Sequence, residues 1–233
     1  EAHLALGLSQ LYGERNWRSS EESFKRAIEL NPSFADAWYH WAWWLEIGGD
    51  DDEAIAAGEK AVELSPLSSF YISWLADQYR DAGDYDRAIE LAESVLDLDP
   101  EYPIAWYTLG NAYLELERYE QAIASHEKIA HIPRWKPALA QSYAWAGQLD
   151  KALEIANGYQ PTPDNALSLA SIHASLGDAN KTVYWLEKMR DGGASMYVGV
   201  FGWFTATRSL HEDPRIQALA EEADLPLIPY PKD

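Results

Sequence analysis

The chain has 233 residues, no cysteine, and 38 acidic against 18 basic residues, which gives a formal net charge of -20. The absence of cysteine excludes a disulfide framework and a cysteine nucleophile. The acid excess opposes binding to DNA, RNA or anionic lipid, because such binding depends on cations that displace counterions. No apolar run reaches the length of a membrane span and no signal peptide is visible, so we expect no membrane insertion and favour the cytoplasm.

From the N-terminus to about residue 132, similar residue types recur at a spacing of 34. A fixed period in this range is typical of a solenoid built from repeated helix pairs. Each repeat supplies one position in a first helix, a small residue in a second helix and, in the first three repeats, a proline at the boundary. In chain order these positions are Leu4, Ser20 and Pro32; Trp38, Ala54 and Pro66; Ile72, Ala88 and Pro100; and Trp106 and Ala122.

The apolar spacing within each repeat predicts two helices. Trp38, Ala42 and Leu45 fall at i, i+4 and i+7, which is one face of an α-helix. The boundary prolines stop the preceding helix, and Gly83 stands where the chain must turn between two helices. The acidic run 50–53 suits a helix N-terminus, where carboxylates cap the backbone. It lacks the alternating ligand spacing of a calcium-binding loop.

The period shortens after residue 130. A turn-and-helix pattern around Gly147 comes only 30 residues after the preceding one, and the pattern around Gly177 follows after another 30, so we expect two compressed repeats. Residues 191–207 contain four glycines among apolar residues and break the period. We interpret them as part of an irregular connection to a last helix around residues 214–222.

These residue types resemble the tetratricopeptide repeat (TPR) family. The fourth repeat matches the first half of its signature with Trp106, Leu109, Gly110 and Tyr113, and the first repeat matches the second half with Ser20, Phe24, Ala27 and Pro32. The second repeat departs from it with Gly58 at the aromatic site. The resemblance covers about residues 1–180 and implies an all-α, right-handed superhelical solenoid of antiparallel helix pairs, with about six repeats and a C-terminal capping helix. We therefore divide the chain into a repeat array, residues 1–190, and an irregular connection with a capping helix, residues 191–233.

A second resemblance lies near the C-terminus. Residues 210–226, which include Asp213, Pro214 and Leu219, are similar to a closing motif that follows TPR-like arrays in bacterial multidomain regulators. In those proteins a winged-helix, kinase, cyclase or propeller domain often precedes the repeats, and this chain begins at Glu1 without methionine. The resemblance implies a regulatory arm of a signalling protein that contacts a domain preceding Glu1. A helix that caps the apolar end of the solenoid explains the same residues.

No group of residues has the spacing of a catalytic or cofactor site. His126 and His131 are five apart, whereas a zinc-binding pair on one helix needs a spacing of four. His173 stands at the tyrosine site of its repeat, and we interpret it as a core histidine. Because a phosphate-binding loop and a nucleophile motif are also missing, we predict no enzymatic activity, no cofactor and no metal site.

The TPR resemblance implies that the first helix of every pair lines a concave groove in which partners bind. It places six candidate partner-binding residues there: Tyr39, Trp43, Trp74, Asp77, Tyr107 and Asn111. Asn111 stands where chaperone-binding relatives use an asparagine to hold a peptide backbone, whereas the basic residues with which they hold a C-terminal carboxylate are missing. Phe70, Arg134 and Gln141 map to the same groove. The aromatic residues would either anchor a ligand or pack against neighbouring repeats.

The sequence favours a non-catalytic module that binds an apolar or basic protein or peptide segment in an aromatic and acidic groove, without nucleic acid as a partner. The regulatory arm is one alternative. A self-assembly module is another, since solenoids can stack through exposed apolar patches. The candidate patch for self-assembly consists of Tyr197, Val198, Val200, Phe201, Trp203 and Phe204.

Overall fold

The computed structural model describes residues 1–14, 16–192, 210 and 212–222, and every structural statement below concerns these residues. They form thirteen α-helices and no strand. The helices are α1 Ala2–Leu8, α2 Trp17–Leu30, α3 Ala35–Gly48, α4 Asp51–Leu64, α5 Ser69–Asp81, α6 Tyr85–Leu98, α7 Pro103–Glu115, α8 Tyr119–Ile129, α9 Lys136–Trp145, α10 Leu149–Asn157, α11 Ala166–Ser175, α12 Ala179–Asp191 and α13 Pro214–Glu222. A π-helical turn, Ser9–Gly13, extends α1, and a short 3-10 helix, Pro163–Asn165, precedes α11.

Helices α1 to α12 pack as six pairs in chain order, from α1 with α2 to α11 with α12. The all-α solenoid of about six helix pairs that the sequence predicts is thereby confirmed. Each pair also packs against the next, as α4 does against α5 and α6 against α7. The first helices α5, α7, α9 and α11 contact one another in order. We call the surface formed by the first helices α3, α5, α7, α9 and α11 the inner face.

Short polar side chains cap four of the six second helices, namely α2, α4, α6 and α12. The carboxylate of Asp50 accepts a hydrogen bond from the backbone N–H three residues later at 3.3 Å, so the acidic run 50–53 starts α4 as a helix cap. Asp84 caps α6 and Asp178 caps α12 in the same way. Gly83, in the turn between α5 and α6, has a φ of 85°, which explains why a glycine stands there.

Small residues let neighbouring helices approach closely. A Cβ at Gly110 of α7 would overlap the ring of His126 on α8, which occupies the site that Phe24 occupies in the first repeat. Gly58, the departure in the second repeat, leaves room that the side chain of Gln78 fills from the next repeat. The array therefore keeps its packing when one repeat lacks the aromatic residue, because a neighbour supplies the missing volume.

Helix α13 packs against α12 at the C-terminal end of the described array. Its residues Ile216, Leu219 and Ala220 are buried. Arg190 of α12 forms an ion pair with Glu222 at 3.0 Å. The predicted irregular connection falls mainly, and the predicted self-assembly patch wholly, outside the described residues. Within the described part of the chain, no helix is both long and apolar enough to cross a membrane.

Candidate functional site

A cavity of about 630 Å³ opens on the inner face between α5, α7, α9 and α11. Aromatic side chains form much of its wall: Phe70, Trp74, Tyr107, Trp135 and Tyr159. Its polar lining consists of Arg134, Gln141, Asp164, Asn165, Ser168 and Ser171. A volume between about 300 and 1,000 Å³ with an apolar lining and a few polar groups is typical of ligand-binding sites.

The aromatic walls are packed against one another. The rings of Tyr107 and Trp135 lie 4.8 Å apart between their centroids, and those of Phe70 and Trp74 lie 6.3 Å apart in an edge-to-face arrangement. The guanidinium of Arg134 lies over the indole of Trp135, 4.9 Å from its centroid. Rings held in this way keep their positions before a ligand arrives, so a ligand would lose little affinity to their ordering.

Two connections between repeats form the remaining wall. The segment between α8 and α9 contributes Pro133, Arg134 and Trp135, and the segment between α10 and α11 contributes Tyr159 and the turn 163–165. The hydroxyl of Tyr159 donates a hydrogen bond to the carbonyl of Pro133 at 2.8 Å. This bond joins the two connections across a separation of 26 residues and fixes the cavity wall.

A buried histidine supports the cavity wall from behind. Nδ1 of His126 lies 2.6 Å from the hydroxyl of Ser142 on α9, and Nε2 lies 3.3 Å from the carbonyl of Tyr107 on α7. Burial lowers the pKa of His126 to about 4, so the imidazole is neutral at pH 7. A neutral imidazole offers one donor and one acceptor, which suits these two partners and ties α7 to α9.

A second polar group on the inner face is a buried charge network near the C-terminal end of α5. Arg80 lies 3.1 Å from a carboxylate oxygen of Asp77 and 2.8 Å from one of Asp81, and all three side chains are at most 2% exposed. The hydroxyl of Thr108 on α7 donates to Asp77 at 3.2 Å. Glu46 of α3 completes the network through a hydrogen bond with Asp81. We call these five residues the charge network.

Three carboxyl groups of the charge network are close enough to suggest a cation site. Oxygens of Glu46, Asp77 and Asp81 lie within 4.8 Å of one another. The guanidinium of Arg80 already stands beside two of these carboxylates and supplies the positive charge. Burial, together with the charges of Asp81 and Asp77, raises the pKa of Glu46 well above its ordinary value, which favours the protonated carboxyl as a hydrogen-bond donor to Asp81. Arg80 therefore offsets one of the two aspartate charges, and the network keeps a net negative charge.

Comparison with known protein families gives two matches. A model described as tetratricopeptide repeat matches residues 4–69, and one described as anaphase-promoting complex, cyclosome, subunit 3 matches residues 49–129. Together they span residues 4–129, which is more than half of the chain. The chain belongs to the tetratricopeptide repeat family. No curated protein sequence matches it.

Solved structures agree with the TPR assignment. PilW, described as a widely conserved type IV pilus biogenesis factor, aligns with a TM-score of 0.60 at 20% identity, covering 82% of this chain and 91% of that one. PilF of Pseudomonas aeruginosa aligns with a TM-score of 0.58 at 17% identity, covering 95% and 96%. The APC/C hetero-tetramer Cut9–Hcn1 aligns with a TM-score of 0.59 at 17% identity, covering 95% of this chain but 42% of that one. Such identities show the fold alone. Proteins of this family are typically non-catalytic scaffolds for protein–protein interaction.

The six candidate residues predicted from the sequence differ in whether they line the cavity. Trp74 and Tyr107 line the cavity. Tyr39 lies next to it, with its ring centroid 4.8 Å from that of Phe70 and 6.0 Å from that of Trp74. Trp43 is only 5% exposed and stacks on Tyr12, away from the cavity wall. Contact of these residues with a partner stays a prediction.

The two polar candidates are buried. Asp77 is fully buried in the charge network and does not present a carboxylate to the groove. Asn111 is 4% exposed and hydrogen bonds through its amide to the hydroxyl of Tyr107. Both side chains therefore act within the TPR array, in the first case as a charged partner and in the second as a support for a cavity-lining ring.

Several cavity residues escaped the sequence-based prediction. Trp135 and Tyr159 come from the connections between repeats, and Leu167, Ser168 and Ser171 come from α11. The position rule concerns helix residues and was applied only as far as the fifth repeat, so it selected neither Trp135 nor Tyr159 nor any residue of α11. Arg134 and Gln141, which the sequence mapped to the groove, do line the cavity.

Proposed function

We propose that this TPR array is a non-catalytic module that holds a peptide or protein segment on its inner face, with an anchoring side chain in the cavity. The observation that carries the proposal is the aromatic cavity between α5, α7, α9 and α11. Aromatic residues concentrate binding energy at protein interfaces, since a large apolar area is buried at a small cost in conformational entropy.

The character of the wall supports a partner with an apolar anchor. The sequence left open an apolar or a basic segment, and the basic alternative depended on acidic side chains such as Asp77 in the groove. Because Asp77 is paired with Arg80, its charge is not available to a basic ligand. The amide of Gln141 has no hydrogen-bond partner within the described residues, so it can form hydrogen bonds with the peptide backbone of the ligand.

The structural neighbours also support a protein partner. The Cut9–Hcn1 structure is described as a hetero-tetramer of two different proteins, and the aligned chain shares the helical fold of this one. With one or two anchoring side chains and a few main-chain hydrogen bonds, we expect an affinity in roughly the micromolar range.

A selection from a displayed library of random linear peptides tests the proposal. The wild-type protein is compared with Ser168→Trp, a variant that places an indole in the cavity from α11. We expect peptides selected on the wild type to bind this variant at least tenfold more weakly, because the anchor site is filled. The affinities of individual synthetic peptides are measured by isothermal titration calorimetry.

The matched control is Ser175→Trp, which adds the same side chain to the end of the same helix but outside the cavity lining. It should bind the selected peptides as the wild type does. A second pair of changes, Trp74→Ala with Tyr107→Ala, removes two walls and should also abolish binding while the helical circular dichroism signal stays. Peptides that bind the filled variant normally, or a library that yields no binder, would overturn the proposal and favour the regulatory-arm or self-assembly alternatives.

A further inference from the structure

The cavity lies at the N-terminal ends of four first helices. Its lining includes Phe70, Ile104, Pro137 and Leu167, which are the second residues of α5, α7, α9 and α11. The N-terminus of a helix carries a partial positive charge, because its first backbone N–H groups have no partner within the helix. None of the described lining residues lies within α6, α8 or α10, although Tyr159 follows the C-terminal end of α10 by two residues. These four helix ends therefore contribute positive partial charge at the cavity.

The charged side chains of the α8–α9 region add to this field. Residues 128–149 contain no Asp or Glu, although the whole chain has a net charge of -20, and they include Lys128, Arg134 and Lys136. Arg134 is the only Lys or Arg among the described residues of the cavity lining. It stacks on Trp135 and forms no ion pair with any residue of the described part of the chain. An arginine that lies over an indole and has no ion pair can bind an incoming carboxylate at little entropic cost.

One acidic side chain also lines the cavity. Asp164 belongs to the 3-10 turn that leads into α11, and it does not form an ion pair with Arg134. Its carboxylate stands at the N-terminus of α11, where the positive end of the helix offsets part of its charge. Arg134 precedes the N-terminus of α9, where the charge of its guanidinium adds to the partial positive charge of the helix end. The balance of the two connections therefore favours an anionic group on the ligand beside Arg134.

We infer that the cavity takes a peptide segment in which a large apolar or aromatic side chain is adjacent to an aspartate or glutamate, whose carboxylate pairs with Arg134. The inference rests on the proposed function and names the ligand chemistry of the same site. The acidic surface elsewhere does not prevent such binding, because physiological salt screens charges beyond about 8 Å. It slows the encounter and leaves the local contact with Arg134 intact.

The peptides selected on the wild type but lost on Ser168→Trp provide the first test. We expect Asp or Glu to be enriched next to an aromatic or large aliphatic residue in them. One such peptide is then synthesised with its acidic residue and with the corresponding amide. The acidic form should bind the wild type about fivefold more tightly, and the difference should vanish in about 1 M salt.

Three variants locate the contact. Arg134→Gln should remove the preference for the acidic peptide and leave the affinity for the amide peptide unchanged. Asp164→Asn should strengthen binding of the acidic peptide about twofold, since it removes a nearby like charge. Lys128→Gln is the matched control: Lys128 also lies over an indole, that of Trp106 at 5.8 Å, but it does not line the cavity. This control should bind both peptides as the wild type does.

The outcomes separate this inference from the proposed function. Cavity-dependent peptides that lack acidic residues or are rich in Lys and Arg overturn the inference and leave the groove as a peptide site. The same conclusion follows if Arg134→Gln binds the acidic peptide as the wild type does. If no selected peptide depends on the cavity, the proposed function fails and the inference fails with it.

Discussion

Helix α5 has different surroundings at its two ends, one at the proposed binding cavity and the other in the packed interior of the array. At its N-terminal end, Phe70 and Trp74 line an open cavity. At its C-terminal end, Asp77, Arg80 and Asp81 are buried in the charge network. Only the first end exposes side chains that a partner could reach. A residue's position along this first helix therefore decides whether its side chain lines the cavity or is buried in the array.

Two arginines, one in the charge network and one in the cavity lining, make the difference between these surroundings measurable. Arg80 is 2% exposed and has carboxylates on two sides, whereas Arg134 is exposed and has an indole beneath it. A buried guanidinium that balances buried carboxylates supports the fold, and an exposed one without an ion pair contributes little to it. The same substitution at both positions therefore tests the division of roles.

The largest effect is expected for Arg80→Gln. The change removes the positive charge and leaves Asp77 and Asp81 buried without their partner, which costs about 3–5 kcal/mol of the free energy of unfolding. Urea denaturation followed by circular dichroism at pH 7 measures this loss. Arg87→Gln is the control, since Arg87 forms an exposed ion pair with Glu90 and should cost at most about 1 kcal/mol. Equal losses in the two variants would show that the network does not support the fold.

The buried His126 packs behind the cavity wall, and its contribution to stability can be tested by comparing the pH dependence of unfolding in wild type and His126→Gln. The pKa of His126 falls from 6.5 to about 4 on folding, so the unfolded chain takes up a proton in a range where the folded chain does not. The free energy of unfolding should therefore fall by about 3 kcal/mol as the pH drops from 6.5 to 4. His40, whose pKa burial also lowers to about 4, adds a loss of the same sign.

The His126→Gln variant has no titrating group at position 126, so its free energy of unfolding should fall less over this pH range. Urea denaturation of both proteins at several pH values gives the two curves. His131→Gln is the matched control, because His131 is exposed and lies outside the packed wall. If the slopes of wild type and His126→Gln coincide, the buried imidazole is not the source of the acid sensitivity.

The regular part of this fold was accessible from the sequence because each repeat solves the same packing problem. Large residues on one helix face require small ones opposite, so the spacing of 34 and the boundary prolines predict the helix pairs. Gly83 and the acidic cap at Asp50 were likewise readable, since each follows from local backbone chemistry. Gly49 and Asp50 in the second repeat correspond to Gly83 and Asp84 in the third, and neither pair needs knowledge of distant contacts.

The residues that line the cavity could be predicted only in part from the sequence, for a physical reason. Trp135 and Tyr159 reach it from connections whose path depends on a hydrogen bond between segments 26 residues apart, and no periodic pattern records such a contact. The prediction that Asp77 faces the groove was wrong for a different reason. Arg80 stands three residues later on the same helix, so the sequence already contained the pair that withdraws this carboxylate from the groove.

Glu46→Gln tests the charge network with a smaller change. Burial raises the pKa of Glu46 well above its ordinary value, so the folded chain binds this proton more tightly than the unfolded chain. A raised pKa of an acid stabilises the fold at low pH, and that stability is lost as the pH rises through the glutamate range and beyond. Glutamine copies the protonated form and does not titrate.

We therefore expect Glu46→Gln to match the wild type at pH 4 and to be more stable by about 1–2 kcal/mol at neutral or alkaline pH. Urea midpoints of both proteins across this range measure the effect. Glu63→Gln, at an exposed ion pair with Lys60, should show no such growth with pH. A variant that is less stable than the wild type at high pH would mean that Glu46 is ionised in the folded chain.

The smallest effect on stability is expected for Arg134→Gln, the counterpart of Arg80→Gln in the cavity region. Its guanidinium lies over the indole of Trp135, and an exposed cation–π contact contributes about 0.5–1 kcal/mol. The loss measured by urea denaturation should therefore be several times smaller than that of Arg80→Gln. A loss of similar size would place Arg134 among the supports of the fold. A small loss together with a changed peptide preference would show that the two ends of the first helices do separate work, since one arginine then sets stability and the other sets ligand choice.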